Sequence, residues 1–166
     1  MKKILFLLGL AFLIAITPSA VFAHDQGYSS VDGSEIRWGD AKGTTGWTVT
    51  RDHSITKWND MGIINIAPDS AWVIEDLSFT DVNRDDVTWS GQYSWWSNDS
   101  DLIKYNDYYF YDFSPEQRKH TALHELGHTL GIDHHDLVDN VMRSGFHSYT
   151  ELGTHDKEDY NSLWGN

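Results

Sequence analysis

Histidine gathers in one place in this chain. Within "HTALHELGHTLGIDHHDLVDNVMRSG", His120 to Gly145, five of the nine histidines fall in the first sixteen residues. His124 and His128 are four apart. On a helix that spacing turns the chain by about 400° and raises it about 6 Å, so both imidazoles leave one face, one turn apart. Two such nitrogens can reach one metal ion at roughly 2.0–2.1 Å each. A third ligand cannot come from the same helix at a suitable angle. Gly131 permits the turn that is needed, because glycine alone enters the left-handed region without strain. His134 then returns towards the ion. Three neutral imidazoles leave one tetrahedral position open to water, the mark of a catalytic zinc site and not a structural one. Glu125 is not needed for coordination. It stands beside the open position and suits a general base, a role worth about 10²–10⁴ in rate. Zinc lowers the pKa of such a water to about 7 and polarises a carbonyl. Together these parts describe hydrolysis of a peptide bond by direct attack of water.

"HELGHTLGIDH" is similar to the H-E-x-x-H-x-x-G-x-x-H motif of the metzincin metalloproteases. Met142, eight residues after His134 in "DNVMRSG", resembles the Met-turn of that clan. The resemblance implies a methionine packed under the metal, not a fourth ligand. The closing segment, with Asp156, Leu163, Trp164 and Gly165, looks like the final helix of matrixin-type members, although Trp164 replaces a usual Tyr and Tyr160 stands at a usually aliphatic position. The resemblance covers Ser114 to Asn166. It implies a twisted mixed sheet with an antiparallel edge strand that binds extended substrate, an active-site helix and a C-terminal helix. Departures are plain too. His135 follows the third ligand and matches no metzincin family pattern. Arg143-Ser144 replaces the Tyr-Pro typical of matrixins after the Met. No Tyr stands two places after it, which removes the tyrosine ligand of astacin-like members.

The elements that must position these residues are partly readable. In "FSPEQRKHTALHELGHTLG", Ser114 is the N-cap, Pro115 takes the first helical position and Gln117 completes a capping box. Leu123, Leu126 and Leu130 make its apolar stripe, and Gly131 ends it. Gly127 is assigned no task. "GTHDKEDYNSLWGN" predicts a last helix with Thr154 as cap. "DHSITKWNDMG" predicts a short helix with Asp52 as cap, Ile55 and Trp58 on its buried face and Gly62 as stop. Strands are expected in "SEIRWGDA", "IINIA", "LSFTDV", "DDVTWSG" and "DLIKYNDYYF". Strands first and two helices last predict an α+β domain.

The first 23 residues, two lysines, an apolar run from Ile4 to Ile16 and Val21-Phe22-Ala23, have the layout of a secretory signal peptide cleaved after Ala23. The apolar run is too short for a membrane span, and no cysteine follows to carry a lipid. The expected product is a secreted monomer of one catalytic domain, residues 24–166, with no stable membrane anchor. The formal net charge is −13, which disfavours nucleic acid and anionic membranes. Such a surface is compatible with Ca²⁺, but no motif supports it. "TDVNRDD" spaces Asp81, Asn83 and Asp85 like an EF-hand start, yet Asp86 and Gln92 occupy the positions that need Gly and Glu; a turn entering a strand is the better reading. Without cysteine there is no disulfide, no thiolate nucleophile and no cysteine-switch latency. About a dozen residues before the first strand leave no room for a conventional inhibitory prodomain.

His120 shares the face of His124; a supporting or surface role fits it better than a ligand in shifted register. His135 and His147 read as solvent-facing or supporting residues. The aromatic run "QYSWWSNDSDLIKYNDYYFYDF" reads first as packing, with Trp95 and Trp96 as candidates to line subsites. The loop from Arg143 to Glu151 is expected to shape the pocket for the side chain after the scissile bond. The substrate is then a protein or peptide. Two other functions use the same residues: a secreted binding module with structural zinc, and a zinc hydrolase cutting a non-peptide amide such as one in cell-wall material.

Overall fold

The computed structural model describes residues 23–41, 45–70 and 75–165. The predicted signal segment, apart from Ala23, lies outside the described residues. Among those described, no helix is long and apolar enough to cross a membrane.

The architecture is mixed α/β around one five-stranded sheet. Its strands are β1 (Glu35–Asp40), β2 (Asn65–Pro68), β3 (Leu77–Val82), β4 (Gly91–Ser94) and β5 (Asp101–Asn106), in the spatial order β2-β1-β3-β5-β4. All neighbours are parallel except β4, which runs antiparallel to β5 along one edge. Helices are α1 (Thr48–Asn59), α2 (Asp107–Phe110), α3 (Pro115–Thr129) and α4 (Thr154–Trp164). Because α1 lies between the paired parallel strands β1 and β2, helices are interleaved with strands. The expected segregation of strands from helices is therefore only partial. The mixed sheet, its antiparallel edge and the C-terminal helix are present.

Between the sheet and α3 lies the core: Ile36, Phe79, Ile103 and Tyr105 from the strands, Leu123, Leu126 and Leu130 from α3, and Trp58 from α1. The polar stripe of α1 hides this packing from the sequence. Arg51 is buried, paired with Asp40 at 2.7 Å and lying 4.2 Å over the Trp38 ring. Thr50, Arg51, Ser54 and Trp58 thus form the inward face. The helix begins at Thr48, with Trp47 as N-cap, and not at Asp52, whose carboxylate pairs with Arg51 instead.

Two strand expectations need correction. "DDVTW" forms no strand, since its backbone is claimed by a side chain. The buried Asn106 accepts from the Arg84 amide (2.9 Å) and donates to the carbonyls of Arg84 (2.9 Å) and Trp89 (3.1 Å). That one amide replaces a ladder partner. Strand β5 stops at the same residue, because Asn106 also caps α2 through the Tyr108 amide. Thr154 is the first residue of α4 and not its cap. The cap is Gly153, and Asn140 Oδ1 accepts from the His155 amide (2.9 Å) across the chain.

Candidate metal centre and active site

Helix α3 begins where its sequence says. Ser114 and Gln117 form a reciprocal capping box and Pro115 holds the first helical position. It ends at Gly131, whose φ of +83° only glycine tolerates without strain. Past that turn the chain doubles back. His124 Nε2 lies 2.9 Å from His134 Nε2, and His128 Nε2 lies 3.2 Å from it. The turn thus brings all three predicted ligands together.

Their other nitrogens are spoken for. His124 Nδ1 donates to the Val141 carbonyl (2.7 Å) and His128 Nδ1 to the Ile132 carbonyl (2.8 Å). The Nε2 lone pairs of both rings consequently face the same point. Burial pushes the basicity of His124 well below its ordinary value, and repulsion from His128 adds to the effect. Burial likewise takes His128 down to about 4, helped by His134. Neutral imidazoles with converging lone pairs repel one another unless a cation lies between them. The donor set therefore fits a borderline ion such as zinc.

Glu125 sits on the same helix, 8% exposed. Burial raises its carboxyl to about 7, against the lowering effect of the Tyr93 amide, which donates to it at 2.8 Å. The residue holding this carboxylate is thus in the edge strand β4. This contact requires close approach: a Cβ at Gly91 would stand 2.6 Å from Thr121 Cγ2 and 2.7 Å from Glu125 Cγ. In the sequence Gly91 stands at the end of an expected strand and is given no closer role.

Met142 is fully buried beneath the triad's helix. Here the reading of Gly127 is corrected. A Cβ on it would lie 2.3 Å from Met142 Sδ and 3.1 Å from Trp58. Gly127 is the notch that receives the methionine. The Met142 segment is held from below by buried Asp156, which accepts from the amides of Val141 (2.8 Å), Met142 (3.0 Å) and Gly153 (2.7 Å). A carboxylate in the first turn of α4 suits that helix end, so one residue anchors α4 and the methionine turn together. Trp164 ties the far end of α4 to α3 through the Leu130 carbonyl (3.0 Å).

His120 is buried, with Nδ1 3.2 Å from the Tyr149 carbonyl, and burial lowers it to about 4. It lies outside the triad and lines the adjoining cavity. Of the two roles expected for His135, the supporting one holds: it is buried, its Nδ1 accepts from the Leu137 amide and its Nε2 points to Asp156 at 3.5 Å.

Depressions open on both sides of His124 and Glu125. One, of about 480 Å³, is lined by Tyr109, Phe113, His120 and Phe146; the other, of about 310 Å³, by Gln26, Tyr28, His128 and His134. Gly145 and Phe146 bring the Arg143–Glu151 loop into the larger one. Trp95 and Trp96 line neither. They are exposed at a separate acidic depression with Asp99 and Asp101.

An N-terminal segment that sequence reasoning left without a role braces the turn that carries His134. Ser30 donates to the Thr129 carbonyl (2.8 Å), Gln26 to the Gly131 carbonyl (3.0 Å), and the Asp133 amide donates to the His24 carbonyl.

No family model matches the chain, and no curated protein matches it. Among solved structures the fold is similar to a chain in the GM1-bound form of the ECX AB5 holotoxin, with a TM-score of 0.56 and 16% identity over 86% of each chain. It is also similar to myroilysin, with a TM-score of 0.57 and 14% identity over 87% of this chain and 98% of that one. The chain shares its overall fold with both of these proteins. At these identities the likeness concerns the fold alone.

Proposed function

We propose that this chain is a secreted, zinc-dependent endopeptidase of the metzincin type, closest to the matrixins. The observation that carries the reading is the convergence of three imidazole Nε2 atoms, 2.9 and 3.2 Å apart, beside a buried carboxylate in a cleft roofed by an antiparallel edge strand. His124, His128 and His134 hold the metal. Bound zinc supplies Lewis acidity, polarising the scissile carbonyl and acidifying a water. Glu125 takes the proton of the attacking water and later delivers it to the leaving amine. Its raised basicity, set by burial and limited by Tyr93, suits both transfers near neutral pH. The exposed edge of β4 pairs with extended substrate through main-chain hydrogen bonds. Tyr109, Phe113 and Phe146 give the larger pocket an apolar wall, which selects a large apolar or aromatic side chain after the scissile bond.

A diverse peptide library tests this directly. Zinc-loaded protein is expected to cleave before large apolar residues. Glu125→Ala should keep its zinc and lose cleavage by about 10²–10⁴-fold. Full zinc without cleavage of any peptide would sink the peptidase reading. Release of amines from wall material with peptides untouched would favour a non-peptide amidase.

A further inference from the structure

A second group of metal-ligating side chains lies outside the triad. His24 Nδ1 is 3.1 Å from His155 Nε2 and 3.2 Å from Asp159 Oδ2, and His155 Nε2 is 3.5 Å from Asp159 Oδ1. Ligands held by one ion at about 2.0–2.1 Å stand some 2.9–3.4 Å apart for angles between square and tetrahedral. The triad, in the same molecule, shows the same spacing.

Three further features favour an ion over simple hydrogen bonding. Asp159 is fully buried, and among the described residues no lysine or arginine forms an ion pair with it; buried carboxylates without a fixed cation are costly unless they coordinate one. His155 Nδ1 faces Glu158 Oε2 at 3.2 Å. A proton held there leaves the Nε2 lone pair aimed into the group, the usual carboxylate–histidine–metal arrangement. Finally, the His24 backbone nitrogen lies 3.4 Å from Asp159 Oδ1. Cleavage after Ala23 makes that nitrogen a free amine. Amine and ring of one residue then chelate from the same side.

We propose that His24, His155 and Asp159 form a second metal site, joined by the His24 amine once the chain starts at that residue. The donors are nitrogen-rich with one carboxylate and no sulfur. Such a set takes late first-row divalent ions, with Cu²⁺ bound most tightly. Binding at pH 7 displaces the proton of the amine, whose ordinary pKa is about 7.7–8.0. The site also touches the catalytic loop: the His135 ring lies 5.5 Å from His24 and 4.9 Å from His155, next in sequence to the ligand His134. A metal here latches the N-terminus onto the turn that presents the third ligand.

The test uses chain matured to His24, verified by intact mass, loaded with zinc and titrated with Cu²⁺. Two ions per chain are expected, the second giving a Cu²⁺ electron paramagnetic resonance spectrum with hyperfine coupling to several nitrogens. His155→Ala, checked for folding by circular dichroism, should remove the second ion and leave the first. Acetylating the His24 amine changes no side chain and should weaken Cu²⁺ at least about tenfold. A stoichiometry of one in the parent, meaning a plain ammonium–carboxylate pair, overturns the site. So does a second ion that survives His155→Ala. Unaltered Cu²⁺ affinity in the acetylated form removes the amine from the ligand set. Peptide cleavage is not read, so failure of the peptidase reading and failure of this site are separable.

Discussion

The two histidine groups are built alike and specified differently. In the triad, ligands ten residues apart at most are placed by one helix and one glycine turn, so spacing alone carries the geometry. The second group joins His24 to residues more than 130 positions away. Only the docking of the N-terminal segment against α4 creates it. Local ligand sets are a property of secondary structure. Distant ones are a property of packing, and leave no spacing to read.

The comparison is broken or kept most decisively by removing one ligand from the local set. His134→Ala should lower peptide cleavage by more than the about 10–100-fold typical of losing a residue that merely supports a ligand. It should also release the triad's metal and leave the Cu²⁺ spectrum of the second group intact. Cleavage within a few fold of the parent, with metal still bound at the triad, would mean that His134 is not a ligand. Loss of both metals together would show that the two groups are one cooperative unit, and that treating them as separate is mistaken.

How much was legible follows the same division. Helix α3, its capping box, the glycine stop and the convergence of His124, His128 and His134 are all set by neighbours within about one or two turns, and each is where its spacing implies. What the sequence hid depends on partners far along the chain. Gly127 and Gly91 look ordinary because their need for no side chain comes from Met142 and from the α3 residues Thr121 and Glu125. In "DDVTWSG" pairing starts only at Gly91, because a buried amide 17 residues away, that of Asn106, holds the Trp89 carbonyl and also the backbone of Arg84 just before the segment. Helix α1 concealed its inward face since Arg51 and Ser54 are polar, yet buried against Asp40 and the helix's own carbonyl.

Gly127→Ala sharpens this point with an intermediate effect. Alanine favours helix over glycine by about 1 kcal/mol, so local reasoning predicts stabilisation. The added methyl would instead meet Met142 Sδ at 2.3 Å and the buried Trp58 at 3.1 Å. Overpacking of this kind typically costs about 1–3 kcal/mol. Thermal unfolding should show a lowered midpoint, and peptide cleavage should fall with it as the methionine floor shifts. A raised midpoint would show that Met142 moves aside freely and that the notch is not needed.

The smallest effects are electrostatic, and they separate the buried α3 histidines from Glu125 by sign. In metal-free protein His120 and His128 are held down to about 4 against an ordinary 6.5. Their unfolded forms therefore take up protons first, and the stability present above pH 6.5 is lost as pH falls towards 4. Glu125 behaves oppositely. Its folded carboxyl titrates near 7 against an ordinary 4.5, so its contribution is fully present below pH 4.5 and is lost as pH rises through 7. Glu125→Gln keeps the size and an acceptor for the Tyr93 amide while removing the charge. With chelator present, it should raise the melting midpoint at pH 8, where the parent carboxylate is ionised in its buried setting, and leave it nearly unchanged at pH 4.5. Zinc should shrink the pH 8 difference, because a bound cation favours the carboxylate that burial opposes. A variant equally stable to the parent at both pH values would mean that Glu125 is well solvated. The raised basicity assigned to the proton carrier would then have no source.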